Sequence, residues 1–143
     1  MVFKFAAAFL LLSLTVLINA TGLILLMRRL HLQTVTPDQG IWPSSWLLIR
    51  IAAFVVVIHS LAISMWAGFY VWQNCLPDFP TALYFSAITY TTVGYGDIVL
   101  TPEWRLFSGV EAITGILMCG LSTGYFFAVV NRLHTLRANA GTQ

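Results

Sequence analysis

Three long apolar stretches, separated by polar segments, dominate the hydrophobic pattern of the chain. They run from Phe5 to Met27, from Trp46 to Trp72 and from Leu106 to Val130. At about 1.5 Å per residue, a helix of each length exceeds the roughly 30 Å hydrocarbon thickness of a bilayer. The pattern therefore predicts three transmembrane helices with some tilt.

A shorter apolar segment lies between the second and third spans. Pro77 and Asp78 predict an exposed outer loop before it, and Pro80 suits the first position of a helix over residues 81–90. About ten residues are too few to cross a bilayer. A helix that enters and returns is tolerated at membrane depth only where protein buries it or water lines it. This segment therefore predicts an oligomer or a water-filled vestibule.

Composition agrees with a membrane protein and argues against several functions. The chain is 59% hydrophobic and 8% charged, whereas a soluble domain carries about 25% charged residues. A net charge of +2 without a polybasic run does not favour nucleic acid as a partner. The sequence contains no nucleophile–base–acid set, phosphate loop or metal-ligand cluster, so it predicts neither an enzyme nor a bound cofactor.

The positions of lysine and arginine predict the orientation, because basic residues collect on the cytoplasmic side. Two basic residues fall on one side of the predicted membrane, namely Lys4 and Arg105. Five fall on the other side, namely Arg28, Arg29, Arg50, Arg132 and Arg137. We therefore expect a multi-pass protein of the inner (plasma) membrane with its N-terminus outside and its C-terminus in the cytoplasm.

The heptapeptide over residues 91–97, Thr-Thr-Val-Gly-Tyr-Gly-Asp, is the most informative motif. Glycine has no Cβ, so Gly94 and Gly96 can take left-handed dihedrals that other residues resist. When these glycines alternate with Val93 and Tyr95, successive backbone carbonyls can point in the same direction. In a β-strand, successive carbonyls point in opposite directions. Those carbonyls and the Thr92 hydroxyl can replace the water shell of a cation.

This motif, which follows a short helix and precedes a spanning one, resembles the selectivity filter of the potassium-channel pore family. The resemblance covers about Trp46 to Asn131 and is strongest over residues 81–97. It implies an all-α membrane protein with three transmembrane helices, a re-entrant pore helix and a filter loop, assembled as a homotetramer. The implied organisation is an extra N-terminal helix (1–30), a cytoplasmic loop (31–45), a pore module (46–132) and a short tail (133–143). Within the module we expect an outer helix at 46–72, a pore helix at 81–90, the filter at 92–96 and an inner helix at 106–131.

The resemblance also assigns roles in the filter. Potassium would bind at Thr92, Val93, Gly94, Tyr95 and Gly96, supported by Thr91, Asp97 and Tyr84. In the family the acid at the outer mouth bonds an aromatic residue of the pore helix, usually Trp. The matching positions here hold Tyr84 and Phe85, so Tyr84 is the candidate partner, and the Tyr95 ring is expected to pack against the pore helix. Ile88 is a second departure, because some members carry a buried Glu there.

By the family's layout, the third span lines the inner cavity. Helical spacing places four of its side chains on one face, namely Ile116, Cys119, Thr123 and Phe127. Phe127 would form the narrowest apolar point, and Asn131 would follow at the inner mouth. Gly115 falls where relatives often place a hinge glycine, and a glycine within a helix can reflect either bending or close packing.

Two ionisable residues lie inside the predicted spans. A carboxylate at membrane depth is costly, so we expect Glu111, level with Trp66 or Ser64, to be hydrogen-bonded to the second span or the pore helix. The alternative for Glu111 is a proton sensor that tunes the filter. His59 is expected to be structural, with a pH switch as its alternative.

The first span has no ladder of arginines, and this argues against a voltage sensor of the usual kind. Its polar residues predict a face packed on the second span, made by Ser13, Thr15, Asn19, Thr21 and Gly22.

The sequence thus favours a passive K⁺ channel whose partners are K⁺ ions, membrane lipid and identical subunits. A weakly selective cation pore and a regulatory subunit of a larger channel remain alternatives.

Overall fold

The computed structural model describes residues 2–31 and 41–140, and the regular structure in those residues is helical. The helices are α1 (Val2–His31), α2 (Ile41–Trp72), α3 (Phe79–Tyr90) and α4 (Arg105–Ala140). Among the described residues, three segments are long and apolar enough to cross a membrane, namely Phe3–Arg29, Ser45–Trp72 and Arg105–Asn131. The three predicted helices, each long and apolar enough to span a bilayer, are therefore confirmed.

Two predicted boundaries are wrong. Residues 41–45 were expected in a loop but form the start of α2. Pro43 does not prevent this, because it falls in the first turn of the helix, where a missing N–H is not needed. Residues 133–140, expected as a tail, continue α4, since this stretch is rich in the good helix formers Leu, Arg and Ala. The rest of the predicted loop, residues 32–40, lies outside the described residues.

The short helix α3 begins two residues earlier than the expected 81–90. Asp78 caps it, and its Oδ1 accepts a hydrogen bond of 2.8 Å from the backbone N–H of Thr81. This bond holds the pKa of the Asp78 carboxyl below its usual range. Pro80 consequently occupies the second helical position, where a missing N–H costs nothing.

The bundle has two ends. We call one the loop end, where residues 73–78 and 97–104 lie, and the other the arginine end, where Arg29 and Arg50 lie. Lys4 reaches the loop end, because its Nζ is 3.4 Å from Glu103 Oε2 and 4.3 Å from the centre of the Trp104 ring. Helix α1 therefore runs parallel to α4 and antiparallel to α2.

Helix α3 enters the bundle from the loop end and stops against the middle of its neighbours. The hydroxyl of Tyr90, its last residue, lies 3.2 Å from Nδ1 of His59, which is halfway along the 45–72 span. Gly115 of α4 is buried against Tyr90, and a Cβ at Gly115 would overlap the Tyr90 carbonyl. The close-packing explanation for Gly115 is thus observed.

An aromatic cluster holds α2 and α4 together near the loop end. The rings of Phe69 and Phe107 stack at 4.8 Å, and Trp66 meets Phe107 edge-on at 5.4 Å. Tyr70 packs edge-on against Phe85 of α3 at 5.3 Å. Such aromatic pairs contribute beyond their buried area, so this cluster fixes α3 between the two longer helices.

The packed face of α1 is partly as predicted. Thr15 and Asn19 are buried, and Trp66 Nε1 donates to Thr15 Oγ1 at 3.0 Å, while Gly22 lies directly against Ile58. Ser13 and Thr21, expected on this face, are exposed instead. Their hydroxyls bond carbonyls of their own helix, those of Phe9 and Leu17, so they need no neighbouring helix.

Replacing Gly115 by alanine tests the contact between α4 and the end of α3. We expect Gly115→Ala to lower the free energy of unfolding by about 1–3 kcal/mol, because the added Cβ overpacks against backbone that cannot move aside freely. Gly120→Ala is the matched control in the same helix. Nothing lies within 4 Å of its new Cβ, and we expect a gain of about 0.5–1 kcal/mol. Denaturant unfolding in detergent measures both, and equal effects would contradict the contact.

Candidate functional site

Residues 91–97 leave the deep end of α3 and run back towards the loop end. The N–H groups of Thr91 and Thr92 donate to Ala87 and Thr89, and the N–H of Gly94 donates to the Ile88 carbonyl at 3.0 Å. The turn is thereby tied to the last turn of α3. Its position follows from the placement of α3 between α2 and α4.

The backbone of this segment alternates in handedness. The φ angles of Thr92, Gly94 and Gly96 are +62°, +50° and +79°. Val93 and Tyr95 between them do not have positive φ. The left-handed conformation predicted for both glycines is confirmed, and Thr92 joins them although it carries a Cβ. A non-glycine residue held in this region stores strain that functional sites often contain.

The carbonyl groups of residues 92–96 accept no hydrogen bond from the residues that the structure describes. The same residues are exposed in a single chain. An unpaired carbonyl away from water is costly, so this row of oxygens requires water or a cation in front of it.

The mouth of the segment is fastened to α3. The Tyr84 hydroxyl donates a hydrogen bond of 2.7 Å to Asp97 Oδ2, which confirms the predicted pair. This bond to the carboxylate raises the pKa of the Tyr84 phenol. The Tyr95 ring was expected to pack against the pore helix, and within the single chain this is wrong, because the residue is 73% exposed. Any packing of this ring must come from another molecule.

Glu111 is fully buried and joins three helices. The Tyr70 hydroxyl of α2 donates to Glu111 Oε2 at 2.7 Å, and the Ser86 hydroxyl of α3 bonds Oε1. The expectation of hydrogen bonds to the second span and the pore helix is confirmed. The expected level was one turn off, because Trp66 bonds Thr15 of α1 and Tyr70 takes its place at Glu111.

The protons of this buried cluster can be counted. Ser86 Oγ lies 3.1 Å from the Ile63 carbonyl as well as bonding Glu111, yet a hydroxyl has one proton to give. If Glu111 is protonated on Oε1, it donates to Ser86, and Ser86 donates to Ile63. Each proton then has one acceptor, so the geometry accommodates the neutral acid without an unpaired group.

His59 forms a second link behind the 91–97 segment. Its two ring nitrogens lie 3.2 Å from the Tyr90 hydroxyl and 3.1 Å from Ser122 Oγ of α4. His59 therefore has polar partners on both α3 and α4, as a structural role requires, and that role stays a prediction. The sequence did not predict that Tyr90 and Ser122 contact His59. The spacing of these two residues along the chain does not show whether their hydroxyls form hydrogen bonds.

The α4 residues assigned to a cavity share one surface of the chain. Five of them are exposed, namely Ile116, Cys119, Thr123, Phe127 and Asn131. On the buried side of the same helix lie Glu111, Thr114, Gly115 and Met118. The structure therefore places these five residues together, on the face turned away from α2 and α3, whereas Gly115, which was assigned to the cavity and gate with them, lies on the buried side.

Comparison with known proteins agrees with this arrangement. A family model described as "Ion channel" matches residues 51–132, which contain α3, the 91–97 segment and most of α2 and α4. No curated protein and no solved structure matches the chain.

Two substitutions at Glu111 test its role in joining the helices. Glu111→Leu leaves the buried Tyr70 hydroxyl without its acceptor, which costs roughly 1–3 kcal/mol of unfolding free energy, whereas the Ser86 hydroxyl can still donate to the Ile63 carbonyl. Glu111→Gln is the control, because an amide can still accept from Tyr70 and donate to Ser86. Denaturant unfolding in detergent should give a clearly lower free energy of unfolding for Glu111→Leu than for Glu111→Gln. Equal stability of the two variants would contradict the joint.

Proposed function

The chain belongs to the potassium channel pore family, and from this membership we propose that four copies form a pore that conducts K⁺ selectively and passively. The protein is a multi-pass membrane protein of an ion channel family. The ion it selects and the number of subunits are our inference. Both depend on residues 92–96.

The observation that carries the proposal is the row of carbonyls without donors on an alternating backbone. A dehydrated monovalent cation needs roughly six to eight oxygen ligands. One chain offers one carbonyl at each level, so a single copy cannot replace the water shell. Four copies around an axis supply four oxygens per level, and two successive levels enclose one ion.

Surfaces left uncovered in one chain support the same assembly. The exposed Tyr95 ring would pack against a neighbouring subunit, and the exposed α4 face would line a common cavity below the filter. The end of α3 would point into that cavity from each subunit. Since a helix C-terminus carries roughly half a negative charge, four of them favour a cation there.

The pore residues then follow in order along the axis. Thr92 to Gly96 form the filter, Thr91, Asp97 and Tyr84 support it, and Ile116, Cys119 and Thr123 line the cavity. Phe127 is the narrowest point and Asn131 the inner mouth. The excess of arginines at one end supports an orientation in the plasma membrane with the N-terminus outside and the C-terminus in the cytoplasm. In this orientation the filter would face outwards.

Ion flux in liposomes tests the proposal. The purified full chain is reconstituted, and uptake of potassium, rubidium, caesium and sodium is measured alongside the size of the detergent-solubilised particle. We expect a tetramer that passes potassium and rubidium and excludes sodium. Comparable sodium uptake would instead indicate a weakly selective cation pore. A monomer without flux would indicate a regulatory subunit of a larger channel.

Gly94→Ala tests the carbonyl mechanism directly. Its φ of +50° is a conformation in which a Cβ costs about 1 kcal/mol or more, in each of four subunits, so the carbonyls should turn and potassium selectivity should be lost. Gly68→Ala in α2 is the control, since its Cβ meets nothing within 4 Å. The ratio of rubidium to sodium flux measures the effect. Wild-type selectivity in Gly94→Ala would count against the mechanism.

The pH dependence of flux separates the two roles considered for Glu111. If the residue only joins helices, Glu111→Gln retains the wild-type pH profile, because the amide keeps the hydrogen bonds to Tyr70 and Ser86. We expect this result, since the geometry accommodates one protonation state completely. A profile shifted in Glu111→Gln while stability is unchanged would instead assign Glu111 as a proton sensor.

A further inference from the structure

A groove between α1 and α2 at the arginine end is not used by the proposed pore. Its volume is about 610 Å³, and its walls are apolar side chains of both helices, among them Leu25, Leu47, Phe54 and Val57. The groove is also lined by two basic residues, Arg29 and Arg50. The groove is formed by the extra N-terminal helix, which the matched family region at 51–132 does not include.

The two arginines bring positive charge that the described residues do not neutralise. In that part of the chain the one salt bridge joins Lys4 to Glu103, at the opposite end. Of the described carboxylates, Asp78 and Asp97 also lie at the loop end, and Glu111 is bonded to Tyr70 and Ser86. Two arginines beside an apolar groove favour a ligand in which an anionic group is joined to an apolar body.

We propose that this groove binds one anionic phospholipid, with its phosphate between Arg29 and Arg50 and one acyl chain along α2 towards Val57. Guanidinium groups bind phosphate oxygens in a bidentate manner, and basic pockets between transmembrane helices recognise anionic head groups. The lipid would thereby fasten α1 to the pore module. This role for the first helix is independent of which ion the pore conducts.

The length of the groove fits one acyl chain. Beyond Arg50 its lining residues on α2 continue to Val57, which is about 10 Å along a helix. One leaflet contributes about half of the roughly 30 Å hydrocarbon core. With its phosphate at the level of the arginines, an acyl chain beside α2 therefore contacts groove residues over about two thirds of the depth of one leaflet.

Native mass spectrometry of the full chain in detergent tests the site with two lipids of identical acyl chains. We expect phosphatidylglycerol to be retained about 25-fold more tightly than phosphatidylcholine, at about 1 kcal/mol for each arginine. Arg29→Gln and Arg50→Gln should each reduce this preference about fivefold. Arg28→Gln is the matched control, because it removes the same charge from the neighbouring residue, which does not line the groove.

Further variants keep the test decisive. Ala53→Trp fills the groove without removing an arginine and should also weaken retention of phosphatidylglycerol. Equal retention of the two lipids, or an equal loss in Arg28→Gln, would overturn the proposal. So would full competition by glycerol phosphate, which has no acyl chain. Efficient disulfide cross-linking of Phe54→Cys between copies would instead mean that a second chain covers the groove, and the lipid site would be abandoned.

Discussion

The rest of the structure depends on one constraint, which is that backbone polar groups at membrane depth must find partners. The three long helices satisfy their own groups by regular hydrogen bonding. The carbonyls of residues 92–96 cannot do so, because the left-handed residues Thr92, Gly94 and Gly96 interrupt any regular ladder. These oxygens need an ion or water in front of them, and this need is the basis of the proposed assembly.

The interactions around α3 hold those oxygens in position. Glu111 connects α4 to both α2 and α3, His59 connects the end of α3 to α4, and Gly115 lets the backbone of α4 approach Tyr90. Each of these contacts lies behind the carbonyl segment rather than in it. The Tyr84–Asp97 bond adds a fourth attachment at the mouth. Among the described residues, the buried side chains of Ser86, Glu111 and Ser122 thus help to hold residues 91–97 in position.

The sequence predicted the features that depend on local composition, namely the long apolar helices and the glycine conformations. It did not predict the contacts that depend on how the helices pack against one another. Apolar length identified the three spans, and the absence of Cβ identified the conformation of Gly94 and Gly96. The partner of Glu111 was placed one turn away, at Trp66 or Ser64, because tilt and rotation of α2 relative to α4 cannot be read from spacing. Ser86 and Ser122 were missed for the same reason. Thr92 was expected to bind the ion, but its positive φ was not foreseen, since a Cβ normally resists that conformation.

The most direct measurement is a structure of the assembled protein in a membrane-like environment, determined with thallium or rubidium in place of potassium. Our account predicts four chains around one axis, with ion density on that axis between the carbonyls of Thr92, Val93, Gly94 and Tyr95. An assembly without fourfold symmetry, or one whose 92–96 carbonyls face lipid with no ion between them, would contradict it.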